Sequence, residues 1–231
     1  MKLTYFGHSA FQIETRSTRL LIDPFIDQNP LAHGVVTSDS LDADYILLTH
    51  AHGDHWGDTP KIAKRTGATV VGCFELVGYL ASKHGYQNTV GTNVGGAVRF
   101  DWGAVRFTHA RHSSSFPDGT YGGVACGLLI EAEGRLLYHA GDTEPFYEMG
   151  WISGGRTIDV AMLPIGDCFT MGPESSIKAV ELLKPKAVVP IHYNTFPPIR
   201  LEPDRLEWWR GAVRDAGSEP AVLSPGASMA V

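Results

Sequence analysis

Residues 45–55 read Tyr45-Ile46-Leu47-Leu48-Thr49-His50-Ala51-His52-Gly53-Asp54-His55, an apolar run that ends in a dense set of nitrogen and oxygen donors. The run Tyr45–Leu48 has the length and side-chain types of a buried strand. Three imidazoles and a carboxylate follow within six residues, a set suited to zinc, manganese or iron. The small residues Ala51 and Gly53 let such a loop fold tightly around an ion. With 10 histidines and 25 acidic residues in 231, a chance match to this pattern is expected roughly 0.002 times in the chain. The plain alternative, a solvated histidine-rich turn, is the weaker account.

Outward from this stretch the chain reads as short strands first and strand–helix units later. Leu3–Phe6, Ala10–Thr15 and Thr18–Asp23 are apolar and β-branched, broken at Gly7-His8-Ser9 and Arg16-Ser17, as in an antiparallel meander. A polar loop spans Asp27 to Asp42. Asp58-Thr59-Pro60 predicts a helix start, with Asp58 as the capping side chain and Gly67 as the stop. A strand-like run at Thr69–Val71 comes next. Strands are then expected at Ala97–Asp101, Ala104–Ala110, Val124–Ala132 and Arg135–His139. Beyond Gly141, strands at Asp159–Leu163 and Ala187–Ile191 are each followed by a helix, opened at Gly172-Pro173-Glu174 and at Pro203. This predicts an α/β (α+β) chain with sheets inside and helices outside. No linker interrupts it, so one domain over 1–231 is expected. Asp44–His50 and Asp159–Ile165 echo each other as an acid, an apolar strand and a loop, although any buried α/β strand can read this way.

Composition removes several classes of protein. A formal charge of −6 offers no broad footprint for a nucleic-acid backbone or an anionic membrane. No apolar run approaches a membrane span, and the N-terminus turns polar too early for a signal peptide. Cys73, Cys126 and Cys168 form no CxxC pair, which fits a reducing, cytoplasmic setting.

Partners for the hexapeptide stand after other strands. His112 follows Val105–Ala110, Asp142 lies in Tyr138-His139-Ala140-Gly141-Asp142-Thr143, and His192 lies in Val189-Pro190-Ile191-His192-Tyr193-Asn194. In residue type, order and placement this set resembles the metallo-β-lactamase superfamily. Gly7-His8-Ser9-Ala10, Leu21-Ile22-Asp23-Pro24, Leu163–Asp167, Thr170–Pro173 and His192–Pro197 narrow the resemblance to its small branch of metal-dependent hydrolases. That branch is related to ascorbate-6-phosphate lactonase and N-acyl phosphatidylethanolamine phospholipase D.

The resemblance implies a four-layer αββα sandwich with two divalent ions at one edge of its sheets. His50, His52 and His112 would hold the first ion, Asp54, His55 and His192 the second, and Asp142 would bridge them. Zinc is the first expectation, and the donor set also suits manganese or iron. A metal-bridging hydroxide would attack an ester, lactone or phosphodiester of a small substrate, an anionic one included. The alternative is a non-catalytic metal-dependent sensor or binding module on the same fold. Besides Asp54, the candidates for catalytic work are His8, which the resemblance sets near the metals, and Asn194, as an oxyanion donor or a loop cap. His139 is read either as orienting a ligand through a hydrogen bond or as a structural residue, with the latter favoured. Antibiotic-hydrolysing lactamases carry cysteine where Asp142 stands, and flavodiiron reductases carry glutamate where His52 stands. Both departures favour a minimal hydrolase.

Overall fold

A computed structural model describes residues 1–231. The first sheet holds β1 (Lys2–Gly7), β2 (Ala10–Glu14), β3 (Arg19–Ile22), β4 (Tyr45–Leu47), β5 (Thr69–Cys73) and β6 (Thr89–Thr92). The second holds β7 (Ala97–Phe100), β8 (Gly103–His109), β9 (Cys126–Ala132), β10 (Arg135–His139), β11 (Val160–Pro164), β12 (Ala187–Ile191) and β13 (Glu219–Pro220). The last strand, β14 (Ser228–Ala230), returns to pair with β1. Each sheet has seven strands, ordered β14-β1-β2-β3-β4-β5-β6 and β13-β12-β11-β10-β9-β8-β7.

Alternation along the strands creates three apolar layers. Leu3, Tyr5, Phe11 and Ile13 of the first sheet meet Val105, Phe107, Leu128 and Ile130 of the second. Fully burying one such side chain stabilises the fold by about 1.5–3 kcal/mol. The opposite face of the first sheet, through Leu21, Ile46 and Val70, packs on α2 (Thr59–Thr66) and α3 (Phe74–His84). Leu136, Ala161 and Val188 of the second sheet pack on α4 (Pro173–Leu183) and α5 (Pro203–Asp215). The order is therefore helix, sheet, sheet, helix, as the resemblance implied. No helix is long and apolar enough to cross a membrane.

Most expected elements form, with informative exceptions. Gly67 ends α2 in the left-handed conformation, at φ 76°. Asp58 does not cap that helix. Its Oδ2 instead accepts the backbone N–H groups of Ile26 and Asp27, both at 2.9 Å, so tertiary partners outcompete the local one. α3 and β6 were not anticipated. α3 starts straight from β5 with no side-chain cap and carries Gly78 in its interior, which masks the usual helix signals.

The second half of the histidine-rich loop is itself a helical turn, α1 (Gly53–Trp56). Gly57 follows it at φ 42°, where a Cβ would strike Pro24 O and the Phe25 backbone. Only glycine lets α1 lie that close to the segment that follows Asp23.

Candidate metal centre

All the donors lie on one edge of the sandwich, in loops that follow strands. His8 occupies the β1–β2 turn, His50 and His52 follow β4, and Asp54 and His55 project from α1. From the second sheet come His112 after β8, Asp142 after β10 and His192 after β12. His8, Asp23 and His192 all have positive φ, at 58°, 43° and 54°. Non-glycine residues seldom adopt this conformation, so the surrounding structure must hold it in place.

Donor atoms converge in three overlapping groups, in each of which they lie within 4.8 Å of one another. The groups are His50, His52 and His112; His50, His55 and Asp142; and His8, Asp54, His55 and His192. Asp142 joins them. Its Oδ2 lies 3.0 Å from His192 Nε2, 3.5 Å from His112 Nε2 and 3.9 Å from His50 Nε2, while Oδ1 lies 3.2 Å from His55 Nε2. His50 Nε2 and His52 Nδ1 face each other at 3.1 Å. Although buried, His55 Nε2 and Asp142 Oδ1 have no hydrogen-bond partner. An unpartnered lone pair inside a protein is costly. Two such atoms 3.2 Å apart, within an all-nitrogen-and-oxygen donor set, fit a divalent cation.

A carboxylate that the sequence reading gave no role sets the imidazole tautomers. Asp23 is fully buried and accepts hydrogen bonds from His55 Nδ1 at 2.7 Å, Thr49 N at 2.8 Å and Thr49 Oγ1 at 2.6 Å. Because the Thr49 hydroxyl donates to Asp23, its oxygen can accept from His50 Nδ1, 3.0 Å away. Both rings therefore keep a proton on Nδ1 and turn Nε2 to the centre, where it can ligate a cation once the ring is neutral. The signal for Asp23 was the same as for His50, a polar residue ending an apolar strand. Thr195, whose Oγ1 lies 2.8 Å from His8 Nδ1, had no such signal.

Charge within the cluster is strongly coupled. Burial disfavours a charged His55, but the carboxylates of Asp142 and Asp23 outweigh it and hold the pKa well above the usual value. His192 is likewise opposed by burial yet raised to about 9, chiefly by Asp142. Burial lowers His50 well below its ordinary value, and nearby His55 adds to the effect. His8 falls to about 4 through burial and the neighbouring His192. Burial would raise Asp142, but His192 and His55 hold it far below the usual carboxylate range.

Other candidates fall outside the converging groups. His139 Nε2 bonds to Ser9 O at 3.0 Å, and its Nδ1 accepts the Gly141 N–H at 3.1 Å, so it anchors the loop that presents Asp142. Asn194 is exposed, and its Oδ1 accepts the Leu201 N–H at 2.7 Å, closing a loop just past His192. Ser114 receives the Ala51 N–H, while Ser113 Oγ stands 3.4 Å from His52 Nε2. Trp56 packs in the core against Phe116.

Comparison with known proteins agrees with this architecture. Residues 18–193 match the Beta-lactamase superfamily domain. A UPF0173 metal-dependent hydrolase of Thermus thermophilus is 49% identical over 226 residues, covering 98% of this chain and 97% of the relative. One from Geobacillus thermodenitrificans is 52% identical over 210 residues, covering 89% and 91%. Igni18, a metallo hydrolase from the archaeon Ignicoccus hospitalis, superimposes with a TM-score of 0.87 at 40% identity, covering 99% of this chain and 97% of that one. The chain thus carries a metal-dependent hydrolase fold of the beta-lactamase superfamily. Within that superfamily it belongs to the UPF0173 metal-dependent hydrolases.

Proposed function

We propose that this protein is a binuclear metal-dependent hydrolase that cleaves an ester, lactone or phosphodiester bond in a small substrate. The observation that carries the reading is Asp142, whose two oxygens reach imidazoles of both donor groups within 3.9 Å. Two nearby cations repel each other, and a shared carboxylate offsets that repulsion. His50, His52 and His112 would hold one ion, Asp54, His55 and His192 the other, with Asp142 between them. When bound, the ions supply the Lewis acidity that activates water and polarises the substrate's carbonyl or phosphoryl oxygen.

The chain's own residues do the rest. Asp23 and Thr49 keep the His50 and His55 lone pairs aimed inward. His8, neutral at physiological pH with its pKa near 4, donates from Nε2 to Asp54 Oδ2 at 3.1 Å, while the Thr195 hydroxyl meets its Nδ1. His8 thereby acts as a positioning residue for Asp54. Asn194 acts through the shape of its loop.

Metal analysis of protein purified without added metal, paired with hydrolysis assays, tests the reading. Two equivalents of zinc, manganese or iron, with turnover of either a lactone or bis(p-nitrophenyl) phosphate, are expected. One equivalent or none after soaking in metal would overturn the binuclear reading. Full metal loading with no turnover across a broad panel of esters, lactones and phosphodiesters would point to a sensor.

A further inference from the structure

The outer face of the second sheet holds a cavity of about 220 Å³ lined by none of the residues that make up the histidine cluster. Cross-strand register explains the hollow. Ala97 stands opposite Arg106, and Ala104 stands between Arg99 and Glu131, so methyl groups alternate with long side chains. The gaps are floored by Leu129, Leu136 and Ile152. Leu129 lies midway along β9, Leu136 at the start of β10 and Ile152 just after a short helical turn at Tyr147–Trp151, whereas Asp142 of the cluster lies past the opposite end of β10.

Charge around this cavity is unbalanced. Arg99, Arg106 and Arg156 line it together with a single carboxylate, Glu131. Arg156 Nη1 pairs with Glu131 Oε2 at 2.7 Å, and this is the only ion pair among the four. Two guanidinium groups are left unpaired, in a chain whose formal charge is −6. The matching end of the first sheet is balanced: Lys2 pairs with Glu14, and Thr4 Oγ1 and Ser228 Oγ share a hydrogen bond at 2.9 Å. A solvated sheet face needs no surplus of arginines over an apolar hollow. Guanidinium groups bind carboxylate and phosphate through paired N–H donors, and the floor suits a hydrocarbon group. At about 220 Å³ the space lies below the roughly 300–1,000 Å³ typical of drug-sized sites, so the ligand must be small.

We propose that this cavity is a second binding site, for a small amphipathic anion: a carboxylate or phosphate group carried on a short alkyl or phenyl body.

Methyl-resolved NMR on the metal-loaded protein tests this. The probes are 3-phenylpropionate and phenylphosphonate, compared with uncharged 3-phenylpropanol. Saturable shifts of the Leu129, Leu136 and Ile152 methyls are expected with either anion and not with the alcohol. Replacing Arg99→Gln and Arg106→Gln together should weaken binding at least about tenfold, the scale of losing a charge-assisted hydrogen bond. Glu131→Gln should tighten it several-fold, an opposite change that misfolding cannot mimic. Hydrolysis at the metal centre should be unchanged in all variants. The proposal is overturned if these methyls do not shift, if only residues near the metals respond, if the alcohol binds as tightly as the anions, or if affinity is the same in the double variant.

Discussion

The two halves of the molecule repeat one strand plan and use it differently. In both sheets three antiparallel pairings are followed by three parallel ones. Asp44, before β4, accepts the Arg19 N–H at 2.7 Å, and Asp159, before β11, accepts the Leu136 N–H at 2.9 Å. The backbone N–H groups of those same acids return to Arg19 O and Leu136 O, at 2.9 and 2.7 Å. The register then aligns Asp23, whose N–H donates to Leu47 O at 3.1 Å, with Ala140, whose N–H donates to Met162 O at 3.0 Å. It also aligns His50 with Ile165. Sequence echo and hydrogen-bonding pattern thus coincide, and the clasp is structural in both halves. What differs is the loop beyond it. The first half packs four donors into His50–His55, whereas the second contributes three isolated ones from three loops.

This contrast is broken most severely at Asp142. Asp142→Ala should lower metal content below two equivalents and reduce kcat/KM by at least about a thousand-fold, the equivalent of about 4 kcal/mol of Lewis-acid stabilisation. Metal analysis beside steady-state kinetics checks this, and wild-type turnover in that variant would end the two-metal account.

Next in size, Asp23→Asn should cost about 10–100-fold in metal affinity or activity, because an orienting partner of two proposed ligands, His50 and His55, is altered. Ala140→Ser, at the matching place in the other half, should leave metal affinity nearly unchanged. Competition with a chromogenic chelator separates the two.

Metal uptake should also release protons. Metal-free His192, with its pKa near 9, and His55, raised by Asp142 and Asp23, are protonated at pH 7 and must become neutral to bind. About two protons per chain should appear in weakly buffered solution during loading, and the His192 share should fade as the pH rises past 9. Uptake without proton release at pH 7 would assign the raised pKa values to the wrong rings.

The paired clasps give a smaller effect. Asp159 is 11% exposed and also meets Lys186 Nζ at 2.7 Å, while Asp44 is 41% exposed. Asp159→Ala should therefore cost more stability than Asp44→Ala, about 1–3 kcal/mol in urea unfolding. Burial would raise the Asp159 pKa, but Lys186 and the Leu136 N–H outweigh it and depress the folded value. Its contribution is thus present above the unfolded pKa and lost as the pH falls through the folded one. Asn194→Ala should have the least effect, under about threefold on kcat/KM; a hundred-fold loss in kcat would make its amide an oxyanion donor instead.

The amino-acid order alone carried the strands, the helices that open on proline, and the dense donor loop, because apolar periodicity and donor spacing are local properties. It also held every residue of the three converging groups, but the resemblance singled them out as a set, since a polar residue just past a strand is commonplace by itself. Local rules misread Asp58, whose carboxylate turned to Ile26 and Asp27, and gave no notice of α3. Only the tertiary structure decided which nitrogen of each imidazole faces inward. That choice depends on Asp23 and Thr49, which meet His55 across 32 residues and six residues of chain. It also decided that His139 secures backbone, and that Arg99, Arg106 and Arg156 surround one hollow. These facts rest on cross-strand register and packing between distant segments, and no local window of sequence contains them.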